Sequence, residues 1–274
     1  MRRIFALIIL TIVIGAASIL FGQLLGGYYI YNLLLGDNLP QVASKQVKIP
    51  APPVEKKMVL RLEPIDFYTI QVGVFSDVRS AQATIDRLVT LGFRPSVSSD
   101  APYKIWLGCF SQRAEGKELE QSLQKAGFEA FIGKGLINDR ALKFFSSNLY
   151  MKEKLAPALG KFDIAFNHSL KMFQSPKIST YELEIWEDML KRLQDEVNES
   201  IKAIDGVLVL AESREFENEL VKVKEKAVSY NDSLGALLKN KSDKGVLYSQ
   251  SYLLELIGAY HSLISDTNHK QGIN

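Results

Sequence analysis

The chain has 274 residues, 47% hydrophobic and 23% charged, which fits one or two globular domains with appended segments. A formal net charge of +2 argues against a polyanionic partner recognised through bulk charge. One cysteine, Cys109, excludes an intrachain disulfide framework and any Cys-x-x-Cys metal or redox motif.

Met1-Arg2-Arg3 precedes an uncharged apolar run from Ile4 to Gly22, and the apolar character continues to Gly36. About 20 such residues, rising 1.5 Å each, cross a hydrocarbon core of about 30 Å. Residues 1–36 are therefore expected to be a cytoplasmic stub and a transmembrane helix. Arg2 and Arg3 predict a cytoplasmic N-terminus, and Tyr28, Tyr29 and Tyr31 fall where an outer aromatic belt belongs. A signal peptide cleaved near "GAAS" is the alternative, but no polar c-region follows it. On either reading the rest of the chain leaves the cytoplasm. Residues 37–65 contain Pro40, Pro50, Pro52, Pro53 and Pro64 and read as a semi-extended linker.

A repeat follows. "IQVGVFS" at Ile70–Ser76 returns as "IWLGCFS" at Ile105–Ser111, 35 residues later. Ungapped alignment gives the identities Ile70/Ile105, Gly73/Gly108, Phe75/Phe110, Ser76/Ser111, Leu88/Leu123, Gly92/Gly127 and Phe93/Phe128. Each unit reads strand, helix, strand: a period-two run, then a 3.6-period run, then a short strand. Gly92 and Gly127 fall where a left-handed helix cap belongs. Two such halves over residues 66–136 predict an α+β domain of βαββαβ order. It would have a four-stranded antiparallel sheet with both helices on one face.

These residues resemble the SPOR (sporulation-related repeat) family. Its strand pattern Tyr-x-Val-Gln-x-Gly-x-Phe is matched by Tyr68, Gln71, Gly73 and Phe75, and its later counterpart by Tyr103, Ile105, Gly108 and Phe110. The resemblance covers about residues 66–135, and each motif alone is weak; two copies at constant spacing are specific. It implies binding of peptidoglycan glycan strands, with a preference for strands stripped of stem peptides, and direction to the bacterial division septum. With the N-terminal apolar run, the expectation is a single-pass protein of the bacterial cytoplasmic membrane, with the bulk of the chain outside the cytoplasm.

Strand alternation assigns the faces. Ile70, Val72, Val74, Ile105, Leu107 and Cys109 are expected to face the helices. The open face then receives Thr69, Gln71, Gly73, Ser96, Lys104, Trp106, Gly108 and Phe131. A sugar ring offers an apolar CH face and a rim of hydroxyls, which an aromatic platform beside amide and hydroxyl groups suits. Lys104 or Arg94 would meet the lactyl carboxylate of a muramic acid. The candidate glycan-binding residues are thus Gln71, Trp106, Thr69, Ser96, Lys104, Phe131 and Arg94. The family often has a polar or basic residue at the Trp106 position, so a merely shielding role for Trp106 stays open. Phe131 has the alternative of covering the sheet edge or docking the C-terminal region. Phe75, Phe93, Phe110 and Phe128 read as packing. Eight Lys/Arg against seven Asp/Glu from Phe67 to Gly135 argue against nucleic acid.

Residues 137–274 have no counterpart in the family pattern. A short helix around 139–155 is followed by stripes at Leu155, Leu159, Phe162, Phe166, Leu170 and Phe173, then at Ile185, Met189, Leu193, Val197 and Ile201. Ser179 and Glu182 suggest a capping box. Phe216, Leu220, Val223, Ala227, Tyr230, Leu234 and Leu237 form a heptad seam, and Val246, Leu253, Ile257, Tyr260 and Ile264 a last stripe. An antiparallel bundle of about four helices is expected, contacting a protein partner or itself; an oligomer seam is the alternative. His168, His261 and His269 fit no zinc-protease spacing. Glu199-Ser200 is similar to the catalytic pair of lytic transglycosylases but lacks their following Gly-Leu-Met-Gln. The expectation is a binding protein and envelope scaffold of division or sporulation with no catalytic residues, metal or cofactor. A cell-wall hydrolase that uses the domain for targeting is the rival.

Overall fold

A computed structural model describes residues 56–62, 64–98, 100–137 and 141–270. The expected membrane helix and most of the linker lie outside the described residues. Among the described residues no helix is long and apolar enough to cross a membrane.

The central sheet has four antiparallel strands in the order β3-β4-β2-β5: β2 is Ile65–Phe75, β3 Ser96–Val97, β4 Tyr103–Phe110 and β5 Phe131–Ile137. Helix α1 (Val78–Thr90) joins β2 to β3. A 3₁₀ turn at Arg113–Gly116 and helix α2 (Lys117–Lys125) join β4 to β5. The order is the expected βαββαβ. Both helices seal one face, burying Ile70, Val72, Ile105 and Leu107 against Ala81, Leu88, Leu119 and Leu123.

The repeated residues do the same work twice. Gly92 and Gly127 have φ of +83° and +82°, a conformation that costs a Cβ-bearing residue. The Phe93 N–H bonds the Leu88 carbonyl and the Gly92 N–H that of Val89; Phe128, Leu123, Gly127 and Gln124 repeat the pattern. Both helices thus end in Schellman motifs, whose accompanying apolar contact explains the Leu/Gly/Phe triplets. The Gly-x-Phe pair has a different cause. A Cβ on Gly73 would lie 2.6 Å from the Phe75 ring, and one on Gly108 2.6 Å from Phe110. Each phenyl ring lies against a bare backbone.

Two irregularities change the expected faces. The pairing of β2 with β4 shifts between Tyr68 and Ile70 and again between Gln71 and Gly73. A bulge moves every later side chain to the opposite face. Val74 therefore points away from the helices, 49% exposed, while Phe75 packs on their core. Gly73 sits opposite Ile105, under the Phe75 ring, rather than on the open face. Beyond Gly108, Phe110 joins the helix-side core, and Cys109 joins the other one.

That other core belongs to the C-terminal helices α3 (Ala156–Met172), α4 (Leu183–Leu208), α5 (Glu217–Lys239) and α6 (Asp243–Lys270). The expected stripes of α3, α5 and α6 are buried. In α4 the buried apolar residues are Trp186, Leu190, Leu193, Val197, Ile204 and Val207, whereas Ile185 and Met189 are exposed. A stripe built only of i+4 steps gains about 40° per step, so it cannot stay on one face; alternating steps of four and three can. The expected capping box is also absent: Ser179 lies in a 3₁₀ turn, and Glu182 is itself the N-cap of α4, without a side-chain bond.

Two further expectations are corrected. The linker ends in strand β1 (Lys57–Arg61), and of the helix expected around 139–155 the first part is instead strand β6 (Ala141–Phe145), while residues 149–155 are helical with a π turn at Met151–Leu155. The two strands pair antiparallel, and Leu142 and Phe144 enter the bundle core. Alternation in "KMVLR" and "ALKFF" permits strands, but their pairing spans the whole intervening domain. Asn268 on α6 accepts from the Lys143 N–H and donates to the Ala141 carbonyl, capping the edge of β6. Ile65, Phe67 and Cys109 of the central sheet join the same core as the bundle, so sheet and bundle lie within one compact unit.

Candidate glycan-binding cleft

Four of the expected site residues stand in a single row. Ser96 pairs with Trp106, Trp106 with Gln71 and Gln71 with Phe131, one residue from each strand. Residues opposite one another share a face. Trp106 and Gln71 are half-buried, and Phe131 is 50% exposed at the edge. Lys104, two residues from Trp106 along β4, is exposed.

Three of the seven expected residues, Ser96 of the row among them, have their polar groups taken up within the protein. Thr69 is buried, and its Oγ1 donates to the Gly108 carbonyl at 2.8 Å, closing the bulge. The buried Ser96 donates to the Ser251 carbonyl on α6 at 3.3 Å. Arg94 lies 3.7 Å from the centroid of the Tyr252 ring and donates to Glu255; Ser251 Oγ donates to the Arg94 carbonyl at 2.6 Å. Thr69 and Ser96 hydroxyls are spent on backbone, and Arg94 already has a carboxylate.

Helix α6 crosses the half of the open face near Ser96 and Cys109. A cleft of about 860 Å³ remains beside it, with Gln71, Trp106 and Lys104 on the sheet side. Lys222 and Lys226 of α5, with Glu255 and Ser262 of α6, form the other side. Burial alone would raise the Glu255 pKa, but hydrogen bonds from Arg94 and Lys226 outweigh it and hold the carboxyl below its ordinary range. The helix residues were not legible as site residues. Lys222 and Lys226 read only as the polar side of a heptad, and nothing in the sequence says which face of the bundle meets the sheet. Cys109 is buried, its thiol pKa pushed up by desolvation, so it is an inert core group.

Residues 65–134 match the model of the SPOR domain family. The chain carries a SPOR domain. No curated protein and no solved structure matches the chain. A SPOR domain implies peptidoglycan binding and septal targeting. The aligned row is on the SPOR sheet face left free by α1 and α2. Its indole, phenyl and amide groups, with the neighbouring Lys104, can stack on a sugar ring, bond its hydroxyls and pair with a carboxylate.

Proposed function

We propose that the chain is a membrane-anchored envelope protein whose SPOR sheet binds peptidoglycan glycan strands at Trp106, Gln71 and Phe131, and whose helices serve as a scaffold rather than a catalyst. The observation that carries the reading is the in-register row Ser96–Trp106–Gln71–Phe131, with Trp106 and Gln71 bordering an open cleft. The anchor rests on the uncharged run from Ile4 to Gly22, which would place the SPOR domain outside the cytoplasm of a bacterial cell. A division role follows from the septal targeting that the domain implies.

The non-catalytic reading is supported by Glu199. Hydrogen bonding and charge from Lys202, with a further contribution from Lys161, hold its pKa low. A general acid needs the opposite shift. Purified ectodomain is expected to release neither muropeptides nor stem peptides from sacculi. Release that disappears on Glu199→Gln would instead identify a transglycosylase.

The binding reading is tested with sacculi. Trp106→Ala should weaken sacculus binding by roughly fivefold, since an aromatic stacking contact is worth about 1 kcal/mol. Its circular dichroism should be unchanged. Wild-type binding by the double variant Gln71→Ala/Trp106→Ala would reject the assignment.

A further inference from the structure

The cleft is not walled by the SPOR domain alone. Its charged lining is Arg94, Lys104, Lys134, Lys222 and Lys226 against Glu255, five cations to one anion. Glu255 binds Arg94 from the sheet and Lys226 from α5 at once. It marks a place where a carboxylate sits between the SPOR domain and the bundle. Lys134 reaches Asp66 at 3.2 Å, with both side chains about half exposed. Lys104 and Lys222 have no ion-pair partner among the described residues.

The cleft also continues beyond the sheet. A second cavity of about 210 Å³, between α5 and α6, shares Lys222, Ala259 and Ser262 with it and adds Asn218 and the acidic Glu219 and Asp266. A small ligand would not need this extension, whereas a linear polymer lying over the sheet would run into it. We propose that Lys222 and Lys226 form a second wall of the glycan site and read carboxylates along the strand. The inference rests on the peptidoglycan reading and assigns to the bundle a part in it. A peptide-free muramyl sugar carries a lactyl carboxylate, while a polymer of N-acetylglucosamine carries none, so this wall separates two otherwise similar strands. Glu255 keeps Lys226 extended across the cleft, and Lys222, whose charge also acts on Glu219, is the α5 cation of this wall without a direct ion pair among the described residues.

The test uses the full chain with peptide-free glycan strands from amidase-treated sacculi. The same strands with amidated carboxylates serve as control. Lys222→Gln/Lys226→Gln should lose roughly tenfold in affinity for the native strands, a few-fold per partly exposed ion pair. It should bind amidated strands like wild type and show a weaker salt dependence. Because Lys226 also holds Glu255, Lys222→Gln alone is the second variant, with a loss of roughly threefold expected and no change in thermal unfolding. Wild-type affinity and salt dependence in both variants, with binding still weakened in Trp106→Ala, would overturn the second wall and leave the SPOR reading standing. Failure of the wild type to bind any strand would remove both.

Discussion

The two faces of the SPOR sheet are covered by helices in different ways. On one face α1 and α2 meet Ile70, Val72, Ile105, Leu107 and Phe110 in an almost wholly apolar contact. On the other, α6 presents Gln250, Ser251 and Glu255 to Gly108, Ser96 and Arg94, while Ile65, Phe67 and Cys109 join the bundle core. Burial of apolar area is non-directional and contributes most of folding stability, whereas hydrogen bonds exchanged with water contribute little net. The first face specifies the domain. The second positions a partner while leaving half of the sheet accessible.

The largest expected effect is therefore on the helix side. Leu107 is 2% exposed, and Leu107→Ala should cost about 2–5 kcal/mol of unfolding free energy. The molecule has its own reporters: Trp106 on the sheet and Trp186, buried in α4. Single-tryptophan variants followed in denaturant should give coincident transitions, because Ile65, Phe67 and Cys109 share the bundle core. Leu107→Ala should shift both midpoints together. A shift of the Trp106 transition alone would show that sheet and bundle unfold independently and that the polar face couples them only weakly.

How much of this was legible follows from the same contrast. The βαββαβ order could be read because local signals agree: period-two strands, the glycines 92 and 127, and apolar helical stripes. The row of Trp106, Gln71 and Phe131 followed from alternation. What failed was whatever depends on the count of residues in a strand pair, since the two bulges moved Val74 and Cys109 across the sheet. Long-range partners failed too. No local pattern in Arg94 or Ser96 announces a helix some 155 residues later that takes their polar groups. Strand β1 was lost because its partner lies beyond the entire domain.

A smaller effect is expected from acid. The carboxyl of Glu255 is held below its ordinary value of 4.5 by Arg94 and Lys226, against the opposing pull of burial. In the folded protein it takes up a proton at lower pH than in the unfolded chain. Its contribution to docking is thus complete above 4.5 and is lost as pH falls through the folded value. Trp106 fluorescence, next to the docking site, should respond in that window before Trp186 does. Glu255→Gln should abolish the difference between the two probes. A Trp106 response unchanged by Glu255→Gln would assign the titration elsewhere.

The smallest effect has the opposite sign, and it separates the two faces most directly. Gln250 is 0% exposed on α6, and neither of its amide atoms has a hydrogen-bond partner among the described residues. Its Oε1 lies 3.2 Å from where a Cβ on Gly108 would stand, so the amide is pressed onto the bulge that turns Cys109 toward the bundle. An unpaired buried amide carries a desolvation cost of about 1–3 kcal/mol, and Met has nearly the same length with no polar group to desolvate. Gln250→Met should therefore stabilise the protein by about 1 kcal/mol, read as a rise in melting temperature of about 2–4 °C for a unit of this size. The matched change on the apolar face, Leu107→Gln, buries a new unpaired amide and should destabilise. If Gln250→Met lowers the melting temperature instead, the amide is satisfied in solution and the docking of α6 is as well made as the packing of α1 and α2. A rise would show that this contact retains a frustrated group where the sheet meets its second cover.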